Sequence, residues 1–214
     1  MKIQGLYSGK SQLLQSSGEY TGIYKAPLSH VCVDELGIKG DEQVDKRYHG
    51  GPDKALHQYS LPGYRHIVET YHQLRGVAVP GSIGENITVA DMSEERVCIG
   101  DIYCFGSVVV QVSEPRRPCW KINAKFKQSG LTEFIEKEGI TGWYYRVLEA
   151  GEMRLGDNVK LLERLNPQIN IAYFNQVLNM PRPRRGNLTP LIESVGLAAY
   201  LRARLEKKNA ELDA

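Results

Sequence analysis

The chain has 214 residues, with 27 Lys and Arg against 25 Asp and Glu and a formal net charge of +2. A balance this even argues against an electrostatic nucleic-acid binder. With 42% hydrophobic and 24% charged residues, the sequence is too apolar for a disordered chain and too mixed for a membrane protein.

The counts are unevenly placed. Residues 1–165 hold 19 of the 21 glycines and nearly balanced charge, whereas residues 166–214 hold two glycines, four of the ten prolines and seven basic against four acidic residues. This predicts a turn-rich main domain over 1–165 and a small three-helix domain over 166–214. The first ten residues lack the continuous apolar core of a signal peptide and no stretch reaches membrane-span length, so a cytoplasmic location without membrane association is expected.

In chain order, Ser60 is placed to cap a helix with Pro62 in its first turn, carried by Tyr64, Ile67, Val68, Tyr71 and Leu74 and stopped by Gly76. Val108, Val110 and Val112 alternate with Val109 and Gln111, and Trp143, Tyr145 and Val147 with Tyr144 and Arg146, predicting strands with one buried face. A helix capped by Thr132 runs between them to Gly139. Short strands separated by glycine turns predict a mainly β fold, a closed or nearly closed β-barrel with a few short helices. In the tail, one helix carries Ile171, Phe174, Val177 and Leu178, a second opens at Thr189-Pro190, and Leu197, Tyr200, Leu201 and Leu205 mark a third.

Several chemistries are excluded by spacing. Ser8-Gly9-Lys10-Ser11 lacks the first glycine of a phosphate-binding loop, because position 4 is Gln4. No dinucleotide glycine fingerprint, serine-nucleophile elbow, H-E-x-x-H or C-x-x-C occurs, and the five histidines form no zinc spacing. Cys32, Cys98 and Cys104 fall in apolar runs, as small buried hydrophobes do.

Cys119 has different neighbours. It lies in Pro115-Arg116-Arg117-Pro118-Cys119-Trp120-Lys121, just after a predicted strand, where two prolines restrict the backbone and three cations favour thiolate. Such a cysteine is a nucleophile, a ligand to a soft or borderline metal, or a buried thiol beside a solvated basic turn. His49-Gly50-Gly51-Pro52-Asp53-Lys54 offers glycine backbone and cationic donors to an anion, and Gly84-Glu85-Asn86 sets an acid and an amide in a glycine turn. Tyr48, Tyr59 and Trp120 are available to stack on a planar ligand or to fill the core.

Gly37-Ile38-Lys39-Gly40-Asp41, the His49–Lys54 segment, Gly84–Asn86 and the Pro115–Lys121 segment, in this order, resemble the MOSC domain, named for the C-terminal domain of molybdenum cofactor sulfurases. The Pro-Arg-x-Pro-Cys form and the helical tail resemble its YiiM-type branch. That resemblance implies a β-barrel binding a molybdopterin-type molybdenum cofactor, with Cys119 as the sulfur ligand to molybdenum. It implies Glu85 and Asn86 near the metal as catalytic residues. His49, Gly50, Gly51, Asp53, Lys54, Arg116, Arg117 and Lys121 are implied as cofactor-binding. Ile83 stands where relatives often carry an aromatic residue. The activity implied is reduction of N-hydroxylated compounds such as 6-N-hydroxylaminopurine, with electrons from a separate flavoprotein or ferredoxin-type donor; a non-catalytic cofactor or sulfur carrier is the alternative. Candidate proton donors are Glu85, Asp53 and His49. Arg182, Arg184 and Arg185 are thin evidence for nucleic-acid contact, and a solvated loop or a protein contact is expected there.

Overall fold

The structure, a computed structural model, describes residues 1–44 and 49–213; Tyr48 lies outside them. The main sheet joins β1 (Ile3–Ser8), β4 (Ala26–Leu28), β7 (Leu56–Gln58), β8 (Ile87–Val89), β9 (Ile102–Phe105), β10 (Val108–Pro115), β11 (Trp143–Glu149) and β13 (Val159–Glu163). Its order is β13-β9-β10-β11-β7-β8-β1-β4. A smaller sheet has the order β12-β5-β6, from β5 (His30–Asp34), β6 (Gly37–Ile38) and β12 (Gly151–Arg154), and β2 (Gln12–Leu14) pairs with β3 (Glu19–Thr21) as a ribbon.

The expected alternation holds only in part, because Gln111 and Tyr144 on the opposite face are buried too and Val147 is only partly buried. Val108, Val110 and Val112 are fully buried, as are Trp143 and Tyr145 on the neighbouring strand. Each such side chain contributes about 1.5–3 kcal/mol on leaving water. Past Val112 the pattern breaks: Val112 pairs with Tyr145 but Glu114 with Tyr144, so Ser113 is an extra residue. This β-bulge re-aims the end of β10.

The strand order of the main sheet is open among the described residues, so full closure of the expected closed or nearly closed barrel is not shown. Beyond Ile3, the free edge of β1 is taken by β4, through Leu6↔Leu28, Tyr7↔Pro27 and Ser8↔Ala26. Its first residues reach the opposite end of the sheet, through an isolated Lys2↔Asn158 bridge and backbone bonds from the Val159 N–H to the Met1 carbonyl (2.9 Å), the Ile3 N–H to the Asp157 carbonyl (3.0 Å) and the Gly156 N–H to the Ile3 carbonyl (2.9 Å). One strand edge cannot serve two ladders at the same residues, so β4 stops the seam from zipping.

Helix α1 (Leu61–Thr70) starts as expected, with Ser60 Oγ accepting from the Gly63 N–H at 3.1 Å. It ends at Thr70, before Gly76, because Tyr71 leaves helical geometry (φ −114°, ψ 76°). It connects β7 to β8, whose single parallel pair is Gln58↔Ile87. A helix absent from the sequence reading, α2 (Lys121–Phe126), directly follows Cys119, and α3 (Leu131–Lys137) starts after Gly130, leaving Thr132 inside its first turn.

The tail forms α4 (Ile171–Leu178), α5 (Arg185–Ile192) and α6 (Ala199–Ala210). The second of these begins four residues before the expected Thr189, with the Arg184 N–H donating to Asn187 Oδ1 at 2.9 Å. Phe174, Leu188, Leu191, Leu201 and Leu205 belong to the same apolar cluster as Val112, Trp143 and Tyr145. Residues 166–213 therefore share the core of the main sheet. No helix among the described residues is long and apolar enough to cross a membrane.

A second cluster unites α1, α2 and α3 through Tyr59, Tyr64, Ile67, Ile83, Ile122, Phe126, Leu131 and Ile135. Ile83, fully buried, fills that cluster with an aliphatic side chain. Glu85 is buried against it: Oε1 accepts from the Tyr64 hydroxyl (2.7 Å) and the Gly81 N–H (2.6 Å). Burial pushes its carboxyl above the ordinary range, and these two hydrogen bonds only partly oppose that. A raised folded-state pKa means that the stabilisation tied to the protonated acid is full below the unfolded pKa and is lost as pH rises through the folded one. Glu85→Gln keeps the acceptor and removes the ionisation. Urea denaturation from pH about 4 to about 7 should show the variant gaining stability relative to the parent as pH rises. A difference independent of pH would refute the assignment.

Candidate functional site

Cys119 occupies a loop between the end of β10 and α2, as its sequence context predicts. Its sulfur accepts the Lys121 N–H at 3.4 Å, and its carbonyl accepts the Ile122 N–H at 3.0 Å. Thr132 holds the same carbonyl with its hydroxyl at 3.2 Å, so the residue expected to cap a helix instead braces the cysteine loop. Half-buried, Cys119 lines a cavity of about 650 Å³.

The cavity lies where the two apolar clusters meet, with Ile23 and Ile83 from one and Leu201 and Leu205 from the other in its wall. Seven Lys and Arg side chains line it against four glutamates. Near-neutral as a whole, the chain thus presents a local positive field inside one concave site.

Arg116 is the residue least explained by the protein alone. It follows the β10 bulge, its N–H donates to the Gly142 carbonyl at 3.0 Å, and it is only 6% exposed. Its Nε and Nη1 are buried with no hydrogen-bond partner among the described residues. A buried guanidinium without a counter-charge costs several kcal/mol, so this position fits an anion. Tyr144 stands beside it; burial raises the phenol to about 12 while the guanidinium pulls the other way. His49 Nδ1 lies 3.0 Å from the Tyr144 hydroxyl.

Several of the other cavity cations have protein partners. Lys54 Nζ is 3.2 Å from Glu114 Oε1, and burial raises the Glu114 carboxyl despite that lysine. Lys25, nearly fully buried, pairs with Asp41, which also accepts the Gly9 N–H (2.8 Å) and Asn86 Nδ2 (3.0 Å). Burial depresses the Lys25 ammonium and Asp41 opposes that shift. His57 is kept neutral chiefly by burial, with the Arg116 charge adding to the effect.

Of the residues singled out by sequence, the structure brings Cys119, Asn86, His49, Lys54, Arg116, Arg117 and Lys121 to the cavity. Asn86 serves the backbone there: its Oδ1 accepts the His57 N–H at 3.1 Å and its Nδ2 donates to the Tyr7 carbonyl at 3.2 Å. Glu85, Gly50, Gly51 and Asp53 do not line it. Asp53 is instead neutralised by Arg146, whose Nη2 and Nε lie 2.6 and 2.8 Å from Oδ1. Gly51, at φ 92°, starts the single turn Pro52–Lys54 and has a conformational role. Tyr59 is core, whereas Trp120, 47% exposed, sits at the cavity and is available to stack.

Sequence reasoning missed Lys25, His57, Glu114 and Tyr144, and it missed Tyr200, Arg204 and Lys208 of α6. A signal existed for the first of these: Asp41, in a recognised motif but without an assigned role, is its partner. For the tail residues, Tyr200 lay on the predicted stripe of α6, but only long-range packing brings that helix to the cysteine loop.

The MOSC domain profile matches residues 45–160. Protein YiiM of Escherichia coli (strain K12) is 33% identical over 162 residues, covering 75% of this chain and 72% of that protein. A reductase of Gibberella moniliformis is 38% identical over 186 residues, covering 84% of this chain but 32% of that longer protein. The crystal structure of YiiM from Geobacillus stearothermophilus superposes with a TM-score of 0.80 at 29% identity, covering 97% of this chain and 99% of that one. That superposition takes in the helical tail together with the sheet. The chain belongs to the MOSC domain family, in its YiiM-type branch.

Proposed function

We propose that this protein binds a molybdopterin-type molybdenum cofactor in the cavity and reduces N-hydroxylated compounds with electrons from a separate redox protein. The observation that carries the reading is the pairing of Arg116 and Cys119 in one cavity: a buried guanidinium whose Nε and Nη1 have no hydrogen-bond partner among the described residues, and a thiol three residues later. The family match and the reductase relative support it. When bound, the cofactor supplies a metal that exchanges two electrons and accepts oxygen.

The residues divide the remaining work. Arg116 offers charge-assisted donors to the anionic part of the cofactor. Cys119 offers the soft ligand, held by Thr132 and the Lys121 N–H. Arg117 and Lys121 add positive charge to the wall, and Trp120 offers an aromatic face to a planar base. The net reaction breaks one N–O bond, consumes two electrons and two protons, and releases amine and water. Protons come from the cavity wall, where His49 and Glu114 stand and where the raised Glu114 carboxyl keeps its proton to higher pH than an ordinary glutamate. Glu85 and Asp53 are replaced in this role, because one carboxyl is buried against the second cluster and the other is paired with Arg146.

Protein produced with intact cofactor biosynthesis should carry molybdenum and turn over hydroxylaminopurine with an artificial donor. Cys119→Ala should lower turnover by at least about a hundredfold. Full activity in that variant would sink the reading, and bound molybdenum without turnover of any N-hydroxylated compound would point to a carrier. Arg116→Met gives a test independent of activity. Without cofactor it should be more stable than the parent by about 1–3 kcal/mol, because an unpaired buried cation is removed. Molybdenum retained on purification should fall by about tenfold or more.

A further inference from the structure

We propose that the outer face of the β5–β12 pair is a second, separate metal site, in which His30, Cys32 and Glu152 bind a zinc-class divalent ion. The strand register builds the trio: Cys32 lies directly opposite Glu152, and His30, two residues before Cys32, projects from the same face. Val31, with Met153 across from it, and Val33 are buried in the main core, so the strands are locked in this facing. One candidate ligand atom from each of the three side chains lies within 4.8 Å of the others, and His30 Nε2 is already 3.1 Å from Glu152 Oε2. Tetrahedral zinc with nitrogen, sulfur and oxygen ligands needs separations of about 3.3–3.6 Å, so closure takes rotamer adjustment without backbone movement.

The donor set is selective. An imidazole, a thiol and a carboxylate match zinc and its borderline neighbours, and calcium or magnesium would not choose a thiolate. The site is reachable from solvent, with 36% of the His30 side chain and 52% of the Glu152 side chain exposed, and a fourth position is left for water. No C-x-x-C or H-x-x-x-H spacing announces it, because the third ligand comes from a strand about 120 residues later in the chain. One group competes: Arg154 Nη2 lies 3.1 Å from Glu152 Oε2. An ion would displace that guanidinium, and Cys32 would release its proton to solvent.

Cobalt titration of the full chain tests this, using the thiolate-to-cobalt charge-transfer band, with zinc competition against a chromophoric chelator. One equivalent is expected, and it should persist in Cys119→Ala. Cys32→Ser should abolish the band and weaken zinc binding by at least about tenfold, since loss of even an outer partner of a metal ligand costs 10–100-fold. Glu152→Gln should weaken binding and Arg154→Gln should tighten it. Near-ultraviolet circular dichroism and melting curves establish that each variant is folded. Absence of a thiolate band in the parent, or its persistence in Cys32→Ser, would overturn the site and leave His30, Glu152 and Arg154 as a surface ion network.

Discussion

The candidate site hangs on the ladder between β10 and β11. Pro115 pairs with Trp143, the Arg116 N–H continues the ladder to the Gly142 carbonyl, and Tyr144 pairs on its other side with His57 of β7. One run of backbone hydrogen bonds thus fixes the arginine, the phenol, the imidazole and the start of the cysteine loop relative to one another. A site built on paired strands holds its geometry better than one built on free loops. The bulge at Ser113 turns the end of β10 so that Glu114 and Arg116 both reach the cavity, where strict alternation without a break would also have placed them on one face but at a different angle to β11. The same extra residue frees the Ser113 hydroxyl to donate to the Asp53 carbonyl at 2.5 Å and its carbonyl to accept the Ala198 N–H at 2.9 Å. The His49–Lys54 turn and the start of α6 are thereby tied to the strand that delivers Arg116.

Charge is then distributed unevenly over this frame. Lys25 is matched by Asp41, Lys54 by Glu114 and Arg146 by Asp53, each within ion-pair distance. Arg116 is buried without such a match among the described residues. Pairing Lys25 and Lys54 lowers the cost of burying cations in the cavity wall, and Arg116 is left as a deeply buried guanidinium without a matching carboxylate among the described residues. That burial distinguishes Arg116 from the ion pairs on the outside of the fold, such as Arg154 with Glu152, whose partners are both well exposed and which contribute little to stability.

What could be read in the sequence followed from local physics. The Ser60 cap, the valine alternation of β10 and the placement of Cys119 at the strand's end depend on neighbours a few residues away, and they appear in the fold where expected. The departures lie where distant segments compete. How far the sheet closes is set by β4 taking the edge of β1, and neither strand carries a mark of that choice. The length of α1 turned on the backbone of Tyr71, and the partner of Asp53 is an arginine 93 residues away. Cys32 and Cys104 sit in apolar runs yet are only half-buried, because alternate residues of their strands face outward.

The Gly84-Glu85-Asn86 turn shows how a motif can identify a family without each of its residues touching the chemistry. In extended chain, adjacent side chains point to opposite sides. Here Glu85 turns toward Tyr64 and the helical cluster, and Asn86 turns toward β7 and Asp41. Gly84, at φ 89°, adopts the left-handed conformation that lets the chain reverse there, and a side chain in its place would crowd Ile23. The turn therefore works as a peg between two cores: one residue anchors the wall behind the cavity, and the other aligns the His57 backbone and the Asp41 carboxylate that holds Lys25. Its contribution to the site is made through the positions of those neighbours, since Glu85 Oε1 accepts two buried donors and the Asn86 amide both accepts and donates at fixed places.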